Sequence, residues 1–572
     1  MSMKLVEALN LINAASASDR PVYRTLLACG FTPLHFETLL AAQLQTRLPD
    51  RRVAIEHGVF EDWAGTLERA AGIDYESVVL VLEWADLDSR LGMRSLGGWG
   101  PAQLAEIEPV VSSQLARALR SVGALSARIP VVIALPTLPF PPVAPVPSWQ
   151  AGGFELRVRQ QILEFAAHAA AIPNVRVLNP QGLGTNRHDL RAELDAGFPY
   201  TVAHAGALAE RLSLLFAPPP PKKGLITDLD GTLWQGILGE GGVDEVHWTL
   251  EARAQIHGLY QQLLRALAES GVLIAVASKN DPVIVQEIFA RGGLAIGSDH
   301  VFPFEVHWHE KSASVRRILE TWNIGEDAVV FVDDSPLELA EVKAAFPAIE
   351  TLVFPARDPA AAEALLHRLR DLFAKSDLKQ EDLIRRDSLR HGHHFHEQAS
   401  GGAEALDRFL RSVQARLELA CNRDASDSRA FELVNKTNQF NLNGRRYTAA
   451  EWQRYLEPET AFLFTAAYSD KFGPLGKIAA LLGRYEKPLL HIDTWVMSCR
   501  AFTRRIEYAC LAELFSMFAA DEIRFDAGVT PKNGPLRAFL AEILSGETVL
   551  TRERFLAVCP PLHQERTIVN RD

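Results

Sequence analysis

Cysteine is scarce. Five residues in 572, Cys29, Cys421, Cys499, Cys510 and Cys559, are widely spaced and odd in number. No C-x-x-C pair occurs, which argues against a zinc ribbon or a disulfide scaffold and points to free thiols in a reducing compartment. No run of about 18 apolar residues occurs, so no segment is expected to span a membrane. The opening stretch MSMKLVEALNLINAASASDR lacks the basic, apolar, small-residue order of a secretion signal, and a cytoplasmic location is expected. Positive charge is also in deficit: 59 Lys and Arg stand against 71 Asp and Glu, a formal net charge of −12. That excludes a protein that coats nucleic acid through bulk charge, but not a local basic pocket for a phosphorylated metabolite.

What is present is an ordinary globular balance, 48% hydrophobic and 23% charged. At roughly 100–200 residues per domain, the length predicts about three to four domains. In residues 1–217, the β-branched runs VVLVLEW (78–84) and IPVVIALPT (129–137) read as buried parallel strands, with a helix between them and a third short run, VRVLN, at 175–179. This predicts an α/β layer domain, with a proline-rich loop, PFPPVAPVPSW, that carries Trp149. Four prolines, Pro218 to Pro221, cannot continue a helix and mark the first boundary. Residues 222–375 again alternate strand and helix, with strands predicted at GLITDLDGT, VLIAVASKN and AVVFVDDSP. Residues 376–402 are polar and read as a linker, and its histidines 391, 393, 394 and 396 as a solvated hinge rather than a metal site. The last domain is predicted over 403–572, without internal repeat or low complexity.

The chemistry concentrates at the predicted strand ends of the second domain. Asp228 and Asp230 are two apart, and in a strand such residues share a face. They would project where ligands bind open α/β sheets. Two carboxylates this close are not both comfortably ionised without a cation, and magnesium prefers a few hard oxygen ligands. Ser278 ends the second strand, followed by Lys279 and Asn280, and offers a hydroxyl to a phosphoryl oxygen. Lys311 supplies a fixed positive charge, and Asp333-Asp334 ends the third strand with further carboxylates. Nucleophile, proton carrier, charge clamp and metal anchor are the parts that phosphoryl transfer needs. Only about 48 residues separate Asp230 from Ser278, too few for a large cap domain, and an open site suits a bulky or protein-tethered substrate.

This ordered set resembles the haloacid dehalogenase superfamily of phosphatases. The resemblance implies Asp228 as nucleophile, Asp230 as general acid and base, Ser278 and Lys311 as phosphate-binding residues with Lys279 and Asn280 beside them, and Asp228, Asp230, Asp333 and Asp334 around Mg2+. The extension Thr232, Leu233, Trp234, Gly236, Gly239, Glu240, Gly242 resembles the FkbH-like branch more narrowly, although that branch usually has Asn where this chain has Gly231. The segments LVNKTNQFNLNGRRYT, SDKFGPLGKIA, IDTWVMSCRAFTRRIEYACL and VTPKNGPLRAFL resemble the same branch. The resemblance implies a degenerate SGNH or flavodoxin-like N-terminal domain, a Rossmann-like phosphatase domain and a GNAT-like α+β acyltransferase domain. It also implies glyceryl transfer from 1,3-bisphosphoglycerate to the phosphopantetheine arm of an acyl carrier protein.

The departures matter too. The acyltransferase phosphate loop R-x-x-G-x-G keeps Arg500, assigned with the phosphate-binding set, but has Thr503 and Arg505 in place of its glycines. Glycine lets a backbone approach a phosphate closely, so ordinary coenzyme A binding is in doubt, and Arg504 and Arg505 are the candidate substitutes. Cys499, beside Arg500, is the candidate acyl-accepting thiol, with His491 and Asp493 as possible base and orienter; the other reading is a buried structural cysteine. Cys510 reads as core. Gly30-Phe31-Thr32 stands where an SGNH serine would be, and Asp195 and His204 read as structural. Three functions compete: the glyceryl loader, a phosphatase acting on a phosphosugar or phosphorylated acyl intermediate in surface-polysaccharide assembly, and a non-catalytic scaffold.

Overall fold

The computed structural model describes residues 3–96, 99–142, 146–238, 243–375, 403–437, 440–471, 473–498, 501–502, 504–530 and 533–571. The linker assigned to 376–402 therefore lies outside the described residues, with its four histidines, as do Cys499, Arg500, Thr503 and the Gly239–Gly242 part of the glycine-rich extension. The chain divides into two compact units, 1–220 and 221–572, the division falling inside the four-proline run. No helix among the described residues is long and apolar enough to cross a membrane.

The first unit is built on five parallel strands, β1 (Val22–Cys29), β2 (Arg52–His57), β3 (Ser77–Val81), β4 (Val131–Ala134) and β5 (Val175–Val177), in the order β2-β1-β3-β4-β5. This is the doubly wound, flavodoxin-like order. The continuous apolar run of β3 follows from burial on both faces: Val78 and Leu80 pack in one core, Val79 and Val81 in the other. Burying each such side chain contributes about 1.5–3 kcal/mol. The predicted strand 78–84 stops at Val81 because Glu83 and Asp86 form a capping box around the short helix Trp84–Leu87.

Where an SGNH serine would stand, a side chain at Gly30 would meet Asp86 Oδ1 at 1.9 Å. Asp195 and His204 do not form a pair. Asp195 is exposed and meets Arg191, while His204 is buried with Nε2 2.9 Å from Thr137 Oγ1. Glu83 organises this region, accepting from Thr137 N–H and hydroxyl, Leu138 N–H and Tyr200 hydroxyl.

The second unit opens with another parallel sheet: β6 (Gly224–Thr227), β7 (Leu273–Ser278), β8 (Val301–Val306), β9 (Val329–Asp333) and β10 (Glu350–Val353), in the order β10-β9-β6-β7-β8. The chain winds outward from β6 to β8, then returns to the other side of β6 at β9, so the carboxyl ends of β6 and β9 border the crevice where winding reverses. The rest carries a mixed eight-stranded sheet: β11 (Arg416–Asn422), β12 (Phe440–Asn441), β13 (Ala461–Asp470), β14 (Gly473–Glu486), β15 (Leu489–Met497), β16 (Glu522–Phe525), β17 (Val549–Thr551) and β18 (Glu565–Arg571). The pairs β11–β18 and β15–β16 are parallel and the others antiparallel. Cys29, Cys421 and Cys510 are buried and form no disulfide, and Cys510 is core.

Glu83 ties the carboxyl ends of β3 and β4 together, and removing it strands four donors in the interior. Glu83→Ala should lower stability by about 2–4 kcal/mol in urea unfolding.

Candidate active site

The strand β6 ends at Thr227, one residue before Asp228. The face-sharing argument for Asp228 and Asp230 therefore does not apply, because the chain has already turned. Gly231 holds the turn at φ +70, a left-handed conformation that glycine takes without strain. Asp230 ends up anchored: Oδ1 accepts from Trp234 Nε1 at 2.8 Å and Oδ2 from Leu238 N–H at 3.1 Å. Trp234 is fully buried, so this anchor is rigid. The helix Gln255–Glu269 braces the same turn from behind. His257 Nδ1 lies 2.9 Å from the Thr232 carbonyl, Gln261 donates to the Leu233 carbonyl, and the Tyr260 hydroxyl donates to Thr227 Oγ1. Burial holds the His257 pKa below its ordinary value, which favours the neutral ring.

Lys311 begins the helix Lys311–Trp322 and is itself buried. Its Nζ stands 2.9 Å from Asp228 Oδ1, 2.6 Å from Asp333 Oδ2 and 2.5 Å from Glu338 Oε2. Burial opposes the charged ammonium, yet the carboxylates of Asp228 and Asp333 outweigh it and raise its pKa. Asp228 and Asp333 are both raised, first by burial, with Lys311 pulling each down and, at Asp333, the Asp228 charge pushing it up further. Asp333 Oδ1 accepts from Ser335 N–H. Asp228 Oδ1 is buried and receives no aligned hydrogen bond, although Lys311 faces it.

Of the remaining predicted residues, Ser278 and Asn280 are buried at the end of β7, where Asn280 Nδ2 donates to Ser278 Oγ, and Ser278 lies near enough to Asp228 to pull its pKa down. Lys279 turns away to pair with Glu338 at 2.9 Å. Asp334 lies beside Gly231, where a Cβ would meet its Oδ2 at 2.5 Å.

The structure thus gathers Asp228, Ser278, Lys311 and Asp333, and it adds Glu338. Oxygens of Asp228, Asp333 and Glu338 all lie within 4.8 Å of one another. Sequence reasoning passed over Glu338, whose Ser335-x-x-Glu338 spacing is that of a capping box. Ser335 does accept from Glu338 N–H, but the Glu338 carboxylate reaches the two lysines instead. An unsatisfied buried carboxylate oxygen among hard oxygen donors fits a small divalent cation. Between Asp230 and Ser278, the long helix of the described residues packs on the sheet through Tyr260 and Leu264, so it forms no cap.

In the C-terminal region the candidate arginines are committed to the protein. Arg504 is buried against Asp470 and the Tyr468 ring, and Arg505 pairs with Asp407 at 2.7 Å. Asp493 accepts from Tyr455 hydroxyl at 2.6 Å and Arg484 Nε at 3.0 Å.

With this geometry in hand, the chain is similar to a crystal structure of the N-terminal part of the protein BF1531 from Bacteroides fragilis, containing a phosphatase domain complexed with Mg. Identity is 19%, the TM-score is 0.51, and the match covers 65% of this chain and 99% of that one. The likeness shows the fold. No family model and no curated protein matches the chain.

Trp234→Phe keeps the ring in the core but removes the donor to Asp230 Oδ1. The variant should lose about 1 kcal/mol of stability in urea unfolding, the net worth of one hydrogen bond.

Proposed function

We propose that the chain is a magnesium-dependent phosphatase that works through an aspartyl-phosphate, coupled to acyl transfer. The observation that carries the phosphatase reading is the buried Lys311 ammonium joining Asp228 to Asp333 at the crevice between β6 and β9. Asp228 and Asp333, with Asp334 nearby, would hold Mg2+, which when bound offsets the charge of the phosphoryl oxygens. An Asp228 oxygen would attack phosphorus as the ester P–O bond breaks. Asp230, held by Trp234 and Leu238, would give its proton to the departing alkoxide. It would then take a proton from the water that releases phosphate and regenerates Asp228. Ser278 and Lys311 would steady the phosphoryl oxygens, with Asn280 fixing the Ser278 hydroxyl.

The substrate we infer is 1,3-bisphosphoglycerate, with an acyl carrier protein as partner, for polyketide-type biosynthesis. Its acyl phosphate is already activated: a thiolate adds to C1, the 1-phosphate leaves, and a 3-phosphoglyceryl thioester forms, which becomes the glyceryl thioester once the 3-phosphate is hydrolysed. The 3-phosphate is an unreactive ester and needs Asp228. Two features support a tethered substrate. The site lacks a cap among the described residues. Large apolar side chains also stand exposed just beyond the strand ends around it: Ile237 after β6, Val283 after β7, Trp308 after β8 and Leu337 after β9. Cys499 remains the proposed acyl-accepting thiol, with Arg500 beside it.

A second reading, a phosphatase for a phosphosugar or phosphorylated acyl intermediate in surface-polysaccharide assembly, is favoured by the pairing of Arg504 and Arg505 with Asp470 and Asp407. These contacts leave both arginines little capacity for a phosphopantetheine phosphate.

Incubation of the chain with Mg2+, 1,3-bisphosphoglycerate and holo carrier protein should add a glyceryl mass to the carrier, read by intact mass spectrometry. Asp228→Asn should abolish phosphate release from the 3-position, and Cys499→Ala should abolish loading. Phosphate release that persists in Cys499→Ala, with no mass added by the wild type, would establish the second reading. Absence of any magnesium-dependent phosphate release would sink both.

A further inference from the structure

The first unit has a cavity of about 140 Å³ that the phosphatase reading does not use. It lies beyond the carboxyl ends of β1, β3 and β4, with Phe31, Trp84 and Phe140 among its walls. In the order β2-β1-β3-β4-β5, the winding reverses between β1 and β3, which is where doubly wound sheets bind ligands. At about 30 Å³ per water, the space holds about five waters, the bulk of a molecule with a handful of heavy atoms.

The charged groups that line it differ in what they have left to offer. The Glu83 oxygens are taken by Thr137, Leu138 and Tyr200. Asp86 accepts from the backbone N–H of Glu83 at 2.8 Å. Glu193 is held by His188 Nε2 at 2.6 Å. Arg94 is different. Its guanidinium lies over the Phe60 ring, 4.7 Å from the centroid, and its one ion pair is a loose 3.9 Å approach to the exposed Glu61. No hydrogen bond joins it to any described residue. The backbone at Gly197, in a left-handed conformation, lets Arg94 come close: a Cβ there would stand 3.2 Å from Nη1. A guanidinium with unused donors, steadied on one side by an aromatic face and opening into an apolar cavity, is built for a carboxylate.

We propose that this cavity binds a small carboxylate with an apolar body, its carboxylate on Arg94 and its body against Phe31, Trp84 and Phe140. A phosphate dianion suits it less, because the apolar walls offer no further donors to its remaining oxygens. Asp86 does not oppose such a ligand strongly. Burial, aided by the Glu83 charge, pushes its pKa up to about 7, so near neutrality much of it is uncharged. Among the described residues, no serine or cysteine lines the cavity.

The test titrates the full chain with butyrate, hexanoate and benzoate, and with the matching neutral amides, by calorimetry and saturation-transfer NMR. At least one carboxylate should bind saturably, with its amide at least about tenfold weaker. Arg94→Met should weaken binding at least about tenfold, and so should the cavity-filling Ala85→Leu. Phosphate release at Asp228 should stay at the wild-type rate in both variants. Circular dichroism and thermal unfolding establish that each variant is folded; if Arg94→Met is not, Ala85→Leu and the amide comparison decide. Overturning results are no saturable binding of any of the three carboxylates, equal binding of acid and amide, or undiminished binding in folded Arg94→Met.

Discussion

A single buried ammonium group organises the second unit. Lys311 is surrounded by Asp228, Asp333 and Glu338, and none of the four is comfortable without the others. An isolated charge in the interior costs several kcal/mol, so each carboxylate at this crevice requires the lysine and the lysine requires them. Lys279 adds a second cation on the outer side of Glu338. Two ammonium groups against three carboxylates leave one formal negative charge, which is suited to a divalent cation arriving with a phosphoryl group. The ends of β6 and β9 and the helix Pro336–Ala345 are therefore joined by electrostatics as well as by backbone hydrogen bonds.

Around that centre the supports are neutral. His257, Tyr260 and Gln261 reach from one helix to the backbone and side chains that carry Asp228, while Trp234 and Leu238 fix Asp230. The division of labour follows from chemistry. A buried carboxylate among charges has to be fixed from outside by groups that do not change its charge. The first unit uses the same sheet edge differently, since most of its buried carboxylates are consumed by internal donors and Arg94 keeps its own.

Much of this could be read in the chain itself. The strands β3, β4, β6, β7 and β9 are buried on both faces, and their β-branched runs betray them. The strands β1, β2, β8 and β10 are partly exposed and carry charges or Pro303, so their patterns are mixed. The catalytic candidates were visible because phosphoryl transfer demands particular side chains just after strand ends. What escaped was whatever acts at long range. Glu338 carries the sequence signature of a cap, and Trp234 and His257 reach the site only through the turn they hold. The alternation argument for Asp228 and Asp230 failed because it carried the strand three residues past its end at Thr227.

Gly231 has a wider consequence. It stands in a left-handed conformation with its bare α-carbon toward the Asp334 carboxylate. Asparagine would tolerate that backbone angle, but its β-carbon would stand 2.5 Å from Asp334 Oδ2. The two positions are therefore sterically coupled. With asparagine in its place the Asp334 carboxylate would have to shift, so the wall of the crevice is set by the absence of a single carbon atom.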